Sequence, residues 1–254
     1  MAKPHGLVSL TLTALHLAEF ALPQRLLQHP LMDFERDEGR ALACCATAES
    51  DLVIEAEIDE EPDAQNIPIR DFAGRVARIE DLTPTIKGVW IELDGAEGIH
   101  FQAGQYVNLA LPDDIGSRAF SIASVPAESN LIELNVRRVP GGAGTAHIHD
   151  RLAPGDPIKF TGPYGRFFVR KSANLPMIFF AGGSGLSSPR SMILDLLAEG
   201  CNLPFTLING QRNLSELYYH AEFEALAREH GNFRLDAGAA VRARHLHREI
   251  RFRS

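Results

Sequence analysis

The chain has 254 residues, a length that suggests two domains, and its 45% hydrophobic and 23% charged residues are the balance of a soluble globular protein and not of a disordered one. Its 25 Lys and Arg against 33 Asp and Glu leave a formal charge of −8, which argues against a nucleic-acid partner. No apolar stretch reaches the roughly 18 residues of a membrane-spanning helix, and three cysteines (Cys44, Cys45 and Cys201) make neither a disulfide framework nor a zinc spacing, so no membrane partner and no metal site are expected. Gly6 to Leu15, after Lys3, imitates the apolar middle of a signal peptide, but no cleavage pattern follows, and the reading is cytoplasmic.

In chain order, residues 1–40 carry neither a helical stripe nor a clean alternation. Asp51-Leu-Val-Ile-Glu-Ala-Glu57 reads as a short strand, and the acidic, proline-containing stretch Ile58 to Asn66 as a linker. From about Phe72 to Phe168, short β-rich runs at 76–79, 88–93, 106–111, 119–122, 132–136 and 157–160 are separated by Pro, Gly and Asp. That is the rhythm of a β-barrel or sandwich. One helix is expected over about 145–152.

The pattern changes after Ala173. Pro176-Met-Ile-Phe-Phe-Ala181 is a continuous apolar run of the kind buried on both faces of a parallel sheet. A glycine cluster follows, then a helix over 191–198, a strand over 205–208 and a helix over 217–230. This order opens a doubly wound nucleotide fold, yet too little chain follows Ala181 for its usual five or six strands. Val241 to Ser254 carries five arginines against Glu249 and reads as a solvated end.

Two constellations carry chemistry. The first joins Phe101-Gln-Ala-Gly-Gln-Tyr-Val107, Ser117-Arg-Ala-Phe-Ser-Ile122, Leu134-Asn-Val-Arg-Arg138, Gly141-Gly-Ala-Gly-Thr145 and Gly162-Pro-Tyr-Gly165. Arg118 and Phe120, two residues apart on one strand, point to one face. A cation beside a flat π surface suits a ligand with a phosphate at one end and a planar ring at the other. The glycines ending at Thr145 let backbone N–H groups approach a second phosphate, at the positive end of the next helix. The second constellation is Ala181-Gly-Gly-Ser-Gly-Leu-Ser-Ser-Pro189, placed between strand and helix where a dinucleotide's pyrophosphate meets backbone N–H groups.

These residues resemble the ferredoxin–NADP reductase superfamily, whose FAD motif is Arg-x-Tyr/Phe-Ser. The resemblance covers about residues 31 to 233 and is strongest to the reductase components of phenol and toluene-type multicomponent monooxygenases. It implies a β-barrel FAD-binding domain at 68–172 and an incomplete α/β, doubly wound NAD(P)H-binding domain at 173–254. Residues 1–67 would be a residual ferredoxin segment and linker, which Asp37-Glu-Gly-Arg-Ala-Leu-Ala-Cys-Cys-Ala-Thr-Ala48 resembles. The resemblance further implies Arg118 on the FAD pyrophosphate, Phe120 against the isoalloxazine and Ser121 near its N5. Phe120 and Ser121 would act by positioning. Asn135, Val136, Arg137, Gly142, Gly144 and Thr145 complete the expected FAD set. Gly183, Ser184 and Gly185 are assigned to the nicotinamide nucleotide, with Gly210 and Arg212 from a Gly-x-Arg element on its adenosine side. A single arginine there favours NADH.

The chain also departs from that family. Only Cys44 matches the four cysteines of a plant-type [2Fe–2S] site, so the cluster expected of the family is not supportable. The match is lost before about residue 31 and after about 233, as in a truncated or frame-shifted copy. The implied activity is transfer of electrons from NADH through FAD toward the oxygenase component of a phenol/toluene-type monooxygenase. A FAD-binding remnant without reductase activity and a non-catalytic oxygenase-interaction module stand as alternatives.

Overall fold

The computed structural model describes residues 20–21, 47–48, 61–95, 97–112 and 114–239. The strand expected at 51–57, Cys44, Cys45 and the arginine-rich end lie outside them. The chain divides into two units, 1–62 and 63–254. In the first, β1 (Phe20–Ala21) pairs antiparallel with β2 (Thr47–Ala48).

The second unit begins with β3 (Arg70–Asp81), β4 (Ile86–Leu93), β5 (Tyr106–Ala110), β6 (Ser117–Ser121), β7 (Leu131–Arg137) and β8 (Pro157–Tyr164). They form one antiparallel sheet in the order β6-β5-β8-β3-β4-β7. A bridge between Ile122 and Leu134 joins the two edges, so the six strands approach a closed barrel. Period-two alternation sends Val107 and Leu109, Ile132, Leu134 and Val136, and Ile158 and Phe160 into its core, each at most 5% exposed. Burying each such side chain is worth roughly 1.5–3 kcal/mol, and this sum closes the barrel.

β3 is longer than its sequence pattern suggests. Phe72 and Val76 face inward, a bulge between Val76 and Arg78 shifts the alternation, and charged Asp71, Arg75, Arg78 and Glu80 cover the outer face. Helix α1 (Ala143–Asp150) seats Ile148 in the barrel core.

The rest of the unit is β9 (Met177–Ala181), α2 (Ser187–Ala198), β10 (Phe205–Gln211), α3 (His220–Glu229) and β11 (Phe233–Ala239), with a parallel sheet in the order β11-β10-β9. β11 is not among the strands expected above. α2 starts at Ser187 rather than 191, because Pro189 falls in its first turn, where a missing N–H costs no helical bond. α3 starts at His220 rather than 217, because Tyr219 adopts the left-handed conformation (φ 55°).

One face of this sheet packs Phe179, Phe205, Leu207 and Phe233 against Met192, Leu196 and Phe223 of the helices. The other leaves Ile178 and Phe180 61% and 72% exposed. The expectation that residues 176–181 are buried on both faces is therefore corrected: helices cover a single face of the described sheet.

Candidate functional site

β6 and β7 touch at Ile122 and Leu134, and beyond that bridge a cleft of about 420 Å³ opens between them. Its volume lies within the range of small-molecule sites. Arg118 and Phe120 both line it, as their spacing requires; opposite Leu109 and Val107 in the ladder, they share the face that becomes core elsewhere. Phe120 packs on that core, while Arg118 stays exposed and donates to the Ser117 carbonyl at 2.7 Å. Asn135 and Arg137 form the opposite wall, and Gly142, Gly144 and Thr145 at the start of α1 close the end.

Each wall residue has a local reason for its place. On β7, the odd positions Glu133, Asn135 and Arg137 face outward while Ile132, Leu134 and Val136 face the core. The Thr145 hydroxyl accepts the Val139 N–H at 3.0 Å and donates to the Gly142 carbonyl at 3.2 Å, fixing the turn that starts the helix. Gly144 is there for space: a Cβ would lie 3.0 Å from both Arg118 Cγ and Leu111 Cδ1.

No carboxylate lines the cleft, and among the described residues none pairs with Arg118 or Arg137. Arg138 is removed from it by a two-pronged bond to Asp150, 2.6 Å on each side, which raises the guanidinium's affinity for its proton and lowers the Asp150 carboxyl's. α1 has no side-chain N-cap and no acid in its first turn. Two unpaired arginines and a bare helix N-terminus give the cleft a positive field, and Phe120 gives it a flat apolar flank. A ligand with a pyrophosphate and a planar ring fits both.

The glycine loop reaches the same place. Gly183 takes a left-handed φ of 54° and gives its N–H to Gln211 Oε1 at 2.9 Å, while its carbonyl accepts the Tyr218 hydroxyl at 2.9 Å. A Cβ on Gly183 would sit 2.9 Å from Arg137 Nη1, so the loop passes directly over that arginine. Ser184 lines the cleft itself. Gly185 donates to the Gly182 carbonyl at 3.0 Å, and a Cβ on Gly182 would lie 2.9 Å from the Gly210 carbonyl.

Of the glycine loop only Ser184 lines the cleft, with Gly183 and Gly185 beside it, and four further expected residues stand apart. Ser121 falls on the outer face of β6, opposite Tyr106, and Val136 is wholly buried in the barrel core. Gly210 and Arg212 are exposed at the end of β10 and do not reach the cleft.

Sequence reasoning missed the polar seam behind the cleft. Glu133, 3% exposed, accepts Asn135 Nδ2 at 2.6 Å, Arg190 Nη1 at 2.9 Å and the Tyr219 hydroxyl. Burial, with the Glu133 charge, pushes the Tyr218 and Tyr219 hydroxyls well above the ordinary tyrosine value. Burial works against the Arg190 cation, but the Glu222 bond and the Glu133 charge outweigh it and hold the proton more tightly than usual. The alternation of Glu133, Asn135 and Arg137 with Ile132, Leu134 and Val136 along β7 was the one available signal.

A second cleft, about 440 Å³, lies on another flank, with Phe101, Met192 and Leu196 as its apolar floor and Lys171, Asp195 and Glu199 at its rim. Burial and the neighbouring Glu199 raise the Asp195 carboxyl's pKa. None of the expected site residues lines it. No group of three or more metal-ligating side chains occurs among the described residues, and no helix there is long and apolar enough to cross a membrane.

Known proteins resemble this chain in sequence and fold. Residues 73–169 match the oxidoreductase FAD-binding domain family. The chain is 55% identical over 203 residues to the reductase component DmpP of phenol 2-monooxygenase from Pseudomonas sp. strain CF600, covering 80% of this chain and 57% of that protein. It is 37% identical over 164 residues to ferredoxin–NADP reductase B of Sorangium cellulosum, covering 64% and 67%. Among solved structures, the Amycolatopsis cytochrome P450 reductase GcoB superposes with a TM-score of 0.65 at 32% identity, over 82% of this chain and 64% of that one. The chain thus spans a little over half the length of the phenol 2-monooxygenase component.

Proposed function

Since the chain belongs to the ferredoxin–NADP reductase superfamily, we propose that it is a cytoplasmic, NADH-dependent flavin reductase that holds FAD in the cleft between β6, β7 and α1. Its electrons would pass toward the oxygenase component of a phenol- or toluene-type monooxygenase, the kind of system to which the similar reductase component belongs. FAD, when bound, supplies the conversion of a two-electron hydride into single electrons.

The chain's own residues bind and orient. Arg118 meets the pyrophosphate, Phe120 offers its ring to the isoalloxazine, and the first turn of α1 at Gly142, Gly144 and Thr145 presents backbone N–H groups. Asn135 and Arg137 complete the wall. The loop Gly183-Ser184-Gly185 holds the nicotinamide nucleotide beside it, with Gly210 and Arg212 toward the adenosine. Ser121 and Val136 act through the strand backbone, since neither side chain lines the cleft. A [2Fe–2S] cluster needs four ligands; with three cysteines in the chain it does not fit, and no electron step is assigned to it.

The observation that carries this reading is that Arg118, Phe120, the start of α1 and Ser184 of the glycine loop line one cleft. The test is an anaerobic titration of FAD-loaded protein with NADH. Bleaching of the visible flavin band is expected; a protein that takes up no FAD would overturn the proposal. A second reading, FAD binding without reductase activity, is favoured by the uncovered face at Ile178 and Phe180 on the nucleotide side. A flavin band that persists under excess NADH selects it.

A further inference from the structure

α2 opens with Ser187-Ser-Pro-Arg-Ser191, and each of its polar side chains reaches the barrel. Ser187 Oγ bonds Asn135 Oδ1 at 3.2 Å, Ser188 Oγ the Gly104 carbonyl at 3.3 Å, and Ser191 Oγ the Ser124 carbonyl at 2.6 Å. Arg190 does more. Its Nη1 donates to the Ala123 carbonyl and to Glu133 Oε2, both at 2.9 Å, while Nε and Nη2 grip Glu222 of α3 at 2.8 and 2.9 Å. The guanidinium lies over the Tyr219 ring, 4.1 Å from its centroid. One planar fork thereby ties the barrel, α2 and α3 together.

Two bonds connect that fork to the cleft. Arg190 holds Glu133, and Glu133 accepts Asn135 Nδ2, whose other amide end accepts from Ser187. Asn135 and Ser184 both line the cleft, and the single Ser187 hydroxyl proton is shared between the Ser184 carbonyl at 2.8 Å and Asn135 Oδ1 at 3.2 Å. The side-chain hydrogen bonds of Arg118 and Thr145, which meet the phosphates in the proposed function, run to Ser117, Val139 and Gly142 and not to this network.

We propose that Arg190 is a positioning residue for the reductase step: through Glu133 and α2 it locks the glycine loop at one fixed setting against the flavin cleft without itself holding FAD. This rests on the reductase reading given above. A pair of reactants misplaced by about 1 Å loses on the order of 100-fold in rate, so a small rotation of α2 on the barrel is felt in the transfer and not in FAD affinity. Lysine cannot replace the fork, because a point charge cannot satisfy Glu133 and both Glu222 oxygens together.

The test uses the full chain with FAD, in the variants Arg190→Lys and Glu222→Gln. The second loses only the α3 arm, at the more open end of the seam, and keeps the protein folded if the first does not. FAD affinity is read by flavin fluorescence, and anaerobic stopped-flow gives the limiting reduction rate and half-saturating NADH. For Arg190→Lys we expect FAD affinity and half-saturation within about threefold of the parent, with the limiting rate down by about tenfold or more; Glu222→Gln falls between. A limiting rate within about twofold of the parent in a folded variant, or loss of FAD together with the rate, overturns the inference.

If the parent itself is not reduced by NADH, the reductase reading fails separately, and amide hydrogen exchange decides the positioning. Faster exchange at 183–187 with unchanged exchange at 117–121 and 142–145 supports a lock at Arg190. Unchanged exchange at 183–187 refutes it.

Discussion

Replacing Arg118 with alanine removes the exposed cation of the cleft and little else. The side chain's hydrogen bond runs to its neighbour's carbonyl at 2.7 Å, and among the described residues no carboxylate depends on it. The fold therefore loses at most about 0.5 kcal/mol, as for an ordinary surface substitution, equivalent to roughly 1–2 °C in a unit of this size. Binding loses a charge-assisted bond to phosphate, worth about 1.5–3 kcal/mol, or roughly 10–150-fold in the FAD dissociation constant. Equilibrium titration of apoprotein with FAD, followed by flavin fluorescence, measures this directly, with a thermal melt as the control. A dissociation constant within about twofold of the parent, with the melt unchanged, refutes the assignment of Arg118 to the pyrophosphate.

Three further outcomes follow from the same geometry. Gly144→Val puts branches where even a Cβ lies 3.0 Å from Arg118 and Leu111, and should weaken FAD binding by about tenfold while Gly144→Ala costs less; equal affinity in both would show that Arg118 has no set position. Phe160→Ala empties the barrel core beside Phe72 and should cost about 3–5 kcal/mol in urea unfolding; a loss below about 1 kcal/mol would contradict a packed barrel. Tyr218 and Tyr219, raised by burial and by Glu133, keep their protons in the fold at pH values where the unfolded chain ionises them. Their contribution is complete below about pH 10 and declines above it, so the urea midpoint should fall there, less steeply in Tyr219→Phe; identical slopes would exclude Tyr219 as the source.

The barrel and the floor of its cleft were legible because both depend on local periodicity. Arg118 and Phe120 share a face through their spacing of two, and the glycines before Thr145 mark a helix start whichever fold contains them. The same period, applied strictly, places Ser121 and Val136 on the opposite faces of their strands, where the structure has them. β11 carries a readable signal, Phe233, Leu235 and Ala237 alternating with Arg234 and Asp236 after the turn pair Gly231-Asn232, but the run is short and gains its place by pairing with β10. The Arg190 seam was beyond reach for a different reason. Glu133 and Arg190 stand 57 positions apart, and nothing local pairs them. Gln211, which holds the Gly183 N–H, was passed over between Gly210 and Arg212 because a glutamine carries no motif of its own.

The central claim is that a single cleft, bounded by β6, β7 and the start of α1, receives FAD. Amide hydrogen exchange with and without FAD maps the bound region directly. Protection is expected at 117–121, 135–137 and 142–145, with a weaker effect at 183–185. Protection centred instead on 100–103 and 192–199, around the second cleft, or no protection at saturating FAD, would contradict the account.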